Sequence, residues 1–236
     1  MKNLDKYRGC LIGGAAGDAL GYAIEFFDEK SIFQKFGESG ITEYELMRGK
    51  ALISDDTQMT LFTANGLLYG TTKGKMCNIM VSYPSYVAYC YKDWFRTQTE
   101  CYPIDKKSPQ TYAWLVDILE LFSRRAPGNT CLSAISEGAH GTVNEPINKS
   151  KGCGGVMRVA PVGLYFKKGT RSAYEIDMIG AEVAAITHGH ELGYIPAATL
   201  THIIRRLAHE KISIDKAVKS AIKTTAKMFK SSKEID

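Results

Sequence analysis

Apolar residues recur at three-to-four spacing along most of this chain and nowhere alternate convincingly. The backbone must therefore be built from helices packed on one another. Leu4, Tyr7, Cys10, Leu11 and Ala15, continuing to Ala19, set a first helix with small residues on one side. Further helices are predicted over Asp56–Tyr69, from Pro84 to about Arg96, and over Thr111–Phe122, Thr130–Ala139, Val156–Phe166, Ser172–Thr187, Leu192–His209 and Ser213–Phe229. Pro84 suits a first helical turn, where its missing N–H costs nothing. Residues 23–52, 99–110 and 144–155 read as loops. In the last helix Val218, Ile222, Thr225 and Phe229 line one side, and Lys216, Lys219, Lys223, Lys227 and Lys230 line another. The lysine stripe reads as a solvated face or a polyanion-binding one. There are no repeats and no linker composition. The expectation is one all-α domain over residues 1–236, a compact multi-helix bundle.

The balance of 30 Lys and Arg against 25 Asp and Glu gives a net charge of +5, which permits contact with anions without demanding nucleic acid. Six cysteines, none in a Cys-x-x-Cys pair, are too sparse for a disulfide scaffold and read as idle thiols in a reducing compartment. The first residues lack an apolar signal core, and Gly13, Gly14, Gly17 and Asp18 interrupt the next apolar run. A cytoplasmic protein without membrane insertion is expected. The sequence sets no oligomeric state.

Four short segments carry chemistry. Ser54-Asp55-Asp56-Thr57 stands where a loop enters a helix. Adjacent carboxylates repel, so they either cap the first turn or grip a hard cation such as Mg²⁺. Gly13-Gly14-Ala15-Ala16-Gly17-Asp18-Ala19-Leu20-Gly21, followed by Glu25, suggests close helix packing, or packing that brings Glu25 into a cleft. Ser150-Lys151-Gly152-Cys153-Gly154-Gly155 precedes the helix expected at Val156, and is either a flexible linker or an anion-binding loop with amides at a helix start. It lacks the Lys-Ser/Thr of a Walker loop and has no preceding strand. Thr187-His188-Gly189-His190 closes a helix, with histidines suited to capping, packing, metal binding or donation to a phosphate.

In this order the stretches Arg8–Glu25, Ser54–Gly66, Lys151–Gly163 and Ala185–His190 resemble the ADP-ribosylglycohydrolase family, which includes the dinitrogenase reductase-activating glycohydrolase. The resemblance implies an all-α bundle with a two-Mg²⁺ centre in a central cleft. It also implies hydrolysis of the glycosidic link between ADP-ribose and an acceptor, with an ADP-ribosylated protein or a small ADP-ribose conjugate as partner. Glu25 matches the family's acidic residue near the metal, a candidate base, and Asp56 is carried with it as catalytic. Ser54, Asp55 and Asp56 match the first metal-binding triplet. Ser150, Gly152, Cys153, Gly154 and Gly155 match the ligand loop, and His188 the histidine beside ADP-ribose.

The sequence departs from the family in two places. No Asp-x-Asp occurs in these 236 residues, although the family draws its opposing metal ligands from such an element near the C-terminus. Glu234-Ile235-Asp236 is the nearest imitation. Cys153 stands where many members have Asn. The expectation is a family fold incomplete at its C-terminus, with at most half of the metal site. Two functions follow: a Mg²⁺-assisted ADP-ribosyl hydrolase, or a catalytically impaired member that binds ADP-ribose or serves structurally.

Overall fold

The computed structural model describes residues 4–107, 109–167 and 169–235. It is all-α, as the periodicity requires. The helices are α1 (Leu4–Gly21), α2 (Glu29–Phe36), α3 (Asp55–Cys77), α4 (Tyr83–Thr99), α5 (Asn129–Ser136), α6 (Ala160–Tyr165), α7 (Ala173–Ala185), α8 (Glu191–His209) and α9 (Ile214–Met228). A two-residue hairpin pairs β1 (Leu46–Met47) with β2 (Lys50–Ala51). Among the described residues no single helix is long and apolar enough to cross a membrane.

The antiparallel pairs α3–α4 and α7–α8 make the most extensive contacts, with α6 and α9 laid against α8. Their inward faces supply the core: Met59, Phe62 and Leu67 from α3, Val87, Tyr91 and Trp94 from α4, Val162 from α6, Val183 from α7 and Ala197 from α8. Several polar groups inside this core pair with one another, as burial favours. Trp94 Nε1 donates to Gln58 Oε1 at 3.0 Å, and Gln58 Nε2 donates to the Ser123 carbonyl at 2.9 Å. The helix ends follow local chemistry. Ser172 and Glu175 form a capping box before α7. Asn78, left-handed at φ 51°, closes α3.

Several expected elements differ. Residues 23–52 are not all loop: Asp28 caps α2 through the Ser31 amide, and the hairpin follows. Neither had a legible signal, because α2 buries none of its residues. The helix expected at Thr111–Phe122 is instead a pair of 3₁₀ turns, Trp114–Asp117 and Leu119–Leu121. The Asp93 carboxylate captures the amides of Tyr112 and Ala113, both at 2.6 Å, and this anchors the segment before a helix can start. Helix α6 begins at Ala160 rather than Val156, after a 3₁₀ turn at Cys153–Gly155. On α9 the buried face is Ala217, Ala221, Thr225 and Phe229, while Ile222 is exposed. The lysines of α9 do face solvent. The 99–110 loop, whose residue 108 lies outside the described residues, is held by the Arg96 guanidinium on the Asp105 and Pro109 carbonyls.

The small residues of α1 also read differently in three dimensions. A Cβ added at Gly13, Gly14 or Gly17 would meet nothing within 4 Å, so these glycines do not serve close packing. By contrast, a Cβ at Gly66 would lie 2.6 Å from Val87 Cα, where α3 and α4 cross. Two substitutions should therefore act in opposite directions. Gly66→Ala should destabilise the protein by about 1–3 kcal/mol, since neither backbone can retreat. Gly13→Ala should stabilise it by about 0.5–1 kcal/mol through helix propensity. Denaturant melts of both variants check this, and a destabilised Gly13→Ala would show that α1 packs more tightly than described.

Candidate active site

The site starts at the C-terminal half of α1. Asp18 projects from it onto the first turn of α3. Its carboxylate accepts the Ser54 amide at 2.9 and 3.1 Å, the Thr57 amide at 3.1 Å and the Thr57 hydroxyl at 2.5 Å. Ser54 Oγ accepts the Asp56 amide at 3.2 Å, and the Asp55 amide donates to the Arg125 carbonyl at 3.0 Å. The orphan donors of the helix start are thus satisfied by Asp18, Ser54 and Arg125. The capping that could have explained the paired aspartates is done by other groups.

This leaves both carboxylates for other work. Asp55 is buried, and its Oδ2 accepts the Gly128 amide at 3.2 Å. The Asp56 carboxylate has no hydrogen-bond partner among the described residues and opens, solvent-exposed, into a concave cleft of about 450 Å³. Gly14, Gly17, Asp18, Glu25, Ser54 and Cys153 are among the residues that share this cleft. The structure therefore brings together Glu25, Ser54, Asp56 and Cys153 from distant parts of the chain. Asp55, Ser150, Gly152, Gly154, Gly155 and His188 do not line it.

The electrostatics follow from desolvation first and from crowding second. Burial pushes the Asp55 carboxyl up to about 7, against the pull of the Gly128 amide and with the charges of Asp56 and Glu25 adding to the rise. Asp56 is pushed up to about 6 by its enclosure, then by Asp18 and Glu25. Glu25 is raised by desolvation and by Asp18. Such a cluster favours a cation or retained protons. Hard oxygen donors suit Mg²⁺, which keeps several waters and needs only one or two carboxylates. Asp56 with Glu25 or Asp55 meets that requirement. A closed protein cage is not formed, for among the described residues no three His, Cys, Asp or Glu side chains converge to hold a metal ion.

The glycine-bearing loop is rigid rather than a linker. Asn148 Oδ1 accepts the Ser150 and Gly189 amides at 3.0 and 3.1 Å, and its Nδ2 donates to the Thr187 carbonyl at 2.8 Å. A Cβ at Gly154 would lie 2.8 Å from His188 Cε1, and one at Gly155 would lie 2.7 Å from the Gly193 carbonyl. Glycine is required because the loop lies directly on the His188 ring and the start of α8. His188 is only 2% exposed, so it supports the loop from beneath. Burial, then the charge of Arg158, holds its pKa down at about 4, which keeps the imidazole neutral. His190 caps α8 through the Leu192 amide. Asp18, Asn148 and Arg158 were not singled out by sequence. Asp18 was read as part of a packing stripe, and Arg158 as the opening of a helix.

The carboxylate shifts have a consequence for stability. Between about pH 4 and 7 the folded protein holds protons on Asp55 and Asp56 that the unfolded chain has released, so stability falls as pH rises through that window. Asp56→Asn should raise the metal-free melting temperature at pH 7.5 and raise it much less at pH 5, where Asp56 is already largely protonated. The His188 contribution is common to both proteins and cancels. An equal effect at both pH values in thermal melts would contradict the crowding argument.

A family model for ADP-ribosylglycohydrolases matches residues 1–235. The match spans both halves of the site, from the α1 glycines and Asp18 through the aspartate pair to the loop over His188. The chain belongs to the ADP-ribosylglycohydrolase family, whose reaction is hydrolysis of the glycosidic bonds of ADP-ribose.

Proposed function

We propose that this chain releases ADP-ribose from a modified protein side chain, with Glu25 and Asp56 as its catalytic carboxylates and Mg²⁺ as its cofactor. The observation that carries this reading is Asp56, freed of capping duty by Asp18 and Ser54 and opening with Glu25 into one cleft. The reaction breaks the bond between the anomeric carbon and the acceptor atom. A water oxygen bonds to that carbon, its proton passes to a carboxylate, and the acceptor leaves with the bonding pair and takes up a proton.

Glu25 is suited to receive the water's proton, since its raised pKa brings it nearer the working pH than an ordinary glutamate. Asp56, with Asp55 behind it, would hold the cation, which when bound would orient ribose hydroxyls and lower the charge repulsion in the cleft. The loop over 150–155 would hold the diphosphate away from the reacting carbon. Binding energy there would fix the reacting end in place. Ser150 and the backbone of Gly152, Cys153, Gly154 and Gly155 would supply the contacts, with Cys153 facing the cleft.

A second reading has its own support. The absence of three convergent ligands among the described residues fits a member that binds ADP-ribose without hydrolysing it. Release of ADP-ribose from an ADP-ribosylated protein, measured with and without Mg²⁺, separates the two. The hydrolase reading expects Mg²⁺-dependent release, lowered roughly 10²–10⁴-fold in Glu25→Gln and in Asp56→Asn. Binding of ADP-ribose with no release would establish the second reading. Turnover unchanged in either variant would remove that residue from the catalytic pair.

A further inference from the structure

We propose that Arg158 and Thr187 lock His188 into the tautomer that carries its proton on Nε2, making Arg158 a positioning residue for the anion held over the 150–154 loop. The ligand part of this rests on the function proposed above; the lock itself does not.

Arg158 is fully buried. Its guanidinium lies over the Tyr91 ring at 4.5 Å, and Nη1 faces the sulfurs of Met59 and Cys131, both at 3.5 Å. Nη2 donates to the Val183 carbonyl at 3.1 Å and to Thr187 Oγ1 at 2.6 Å. Thr187 Oγ1 also lies 2.8 Å from His188 Nδ1.

The direction of this chain starts at Arg158. A guanidinium has donors and no acceptor, so Thr187 Oγ1 must accept from Arg158. The single hydroxyl proton of Thr187 is then free to point at His188, and in the proposed lock Nδ1 accepts it, the second lone pair of Oγ1 staying unused. A neutral imidazole that accepts at Nδ1 carries its proton on Nε2. Burial and the Arg158 charge keep the ring neutral.

Nε2 faces the loop, 3.2 Å from where a Cβ of Gly152 would stand. No protein acceptor is hydrogen-bonded to it among the described residues. With no protein acceptor on it, this donor is available to an acceptor oxygen of a ligand bound at the loop. The Arg158 charge points the same way. Among the described residues this buried cation forms no ion pair, and its Nε has no hydrogen-bond partner. An anionic oxygen above Nε2 would answer that charge through Thr187 and His188.

The test uses the full chain labelled with ¹⁵N histidine. Long-range ¹H–¹⁵N correlations of the ligand-free protein at pH 7.5 should show His188 protonated at Nε2. Thr187→Val keeps the shape, removes the hydroxyl, and should lower the Nε2-protonated fraction toward that of a free neutral histidine ring, which itself favours Nε2–H; Thr187→Ser should restore it. A wild-type ring protonated at Nδ1, or a Thr187→Val ring unchanged, would overturn the lock. Titration with ADP-ribose then tests the positioning role. Thr187→Val should raise Kd and KM roughly tenfold or more, with kcat less affected, because a donor to a charged oxygen is lost. Equal affinity in the two proteins would refute that role. If wild type shows the Nε2 tautomer but binds no ADP-ribose, the lock stands and the proposed function fails.

Discussion

One carboxylate orders the cleft. Asp18 lies 36 residues before the helix start that it caps, and its hydrogen bonds to Ser54 and Thr57 join α1 to α3. Few other interactions could. Helix α1 buries only Ala19, so hydrophobic contact fixes it weakly, and its N-terminal end is tied down by Lys6 on carbonyls at the end of α8. Hydrogen bonds to a charged acceptor contribute about 1.5–3 kcal/mol each when sheltered, and less when partly wet, as here. Glu25 follows directly on α1 and a 3₁₀ turn, so its position in the cleft depends on how Asp18 sets the helix. The same bonds relieve Asp55 and Asp56 of capping.

The arrangement is costly in the absence of a cation. Asp18, Glu25, Asp55 and Asp56 crowd one region, and the pKa rises of the last three record desolvation first and that crowding second. A helix N-terminus offsets part of the repulsion, because its dipole and free amides favour negative charge. It does not offset all of it. A fold selected for stability alone would place Asn or Ser at position 56, where the side chain makes no hydrogen bond. Retaining the acid there is the trade of stability for chemistry that active sites commonly show.

Much of this was legible in the sequence, for identifiable reasons. Helices α3, α4, α7 and α8 carry long apolar faces directed at one core, and periodicity reports such faces directly. The aspartate pair and the glycine loop stood out because each breaks a local preference, while Glu25 and His188 were marked by the family resemblance. What could not be read was whatever depends on a distant partner. The tyrosine-flanked segment after residue 110 looked helical until Asp93, twenty residues earlier, took its amides. Ile222 looked like core until α8 met α9 on the alanine face. Gly13 and Gly154 look alike in a sequence, yet one faces open space and the other bears on a histidine ring. Arg158 stood without distinction near a predicted helix start, and only the packing of α7 and Tyr91 around it reveals a buried cation.

The two sides of the site rest on opposite physics, and a substrate must satisfy both. The acid side is charged, partly wet and self-repelling. The loop side is solvent-facing above and tightly packed below, where it rests on a neutral imidazole backed by a buried positive charge. ADP-ribose has a matching asymmetry, with a dianionic diphosphate at its centre and a neutral anomeric carbon on the terminal ribose. The diphosphate is repelled by the carboxylates and suited to the loop above His188 and Arg158. Under the proposed function this leaves the ribose to face Glu25 and Asp56. Charge would then orient the ligand before any shape-specific contact is made, and would bring the bond to be broken to these two carboxylates.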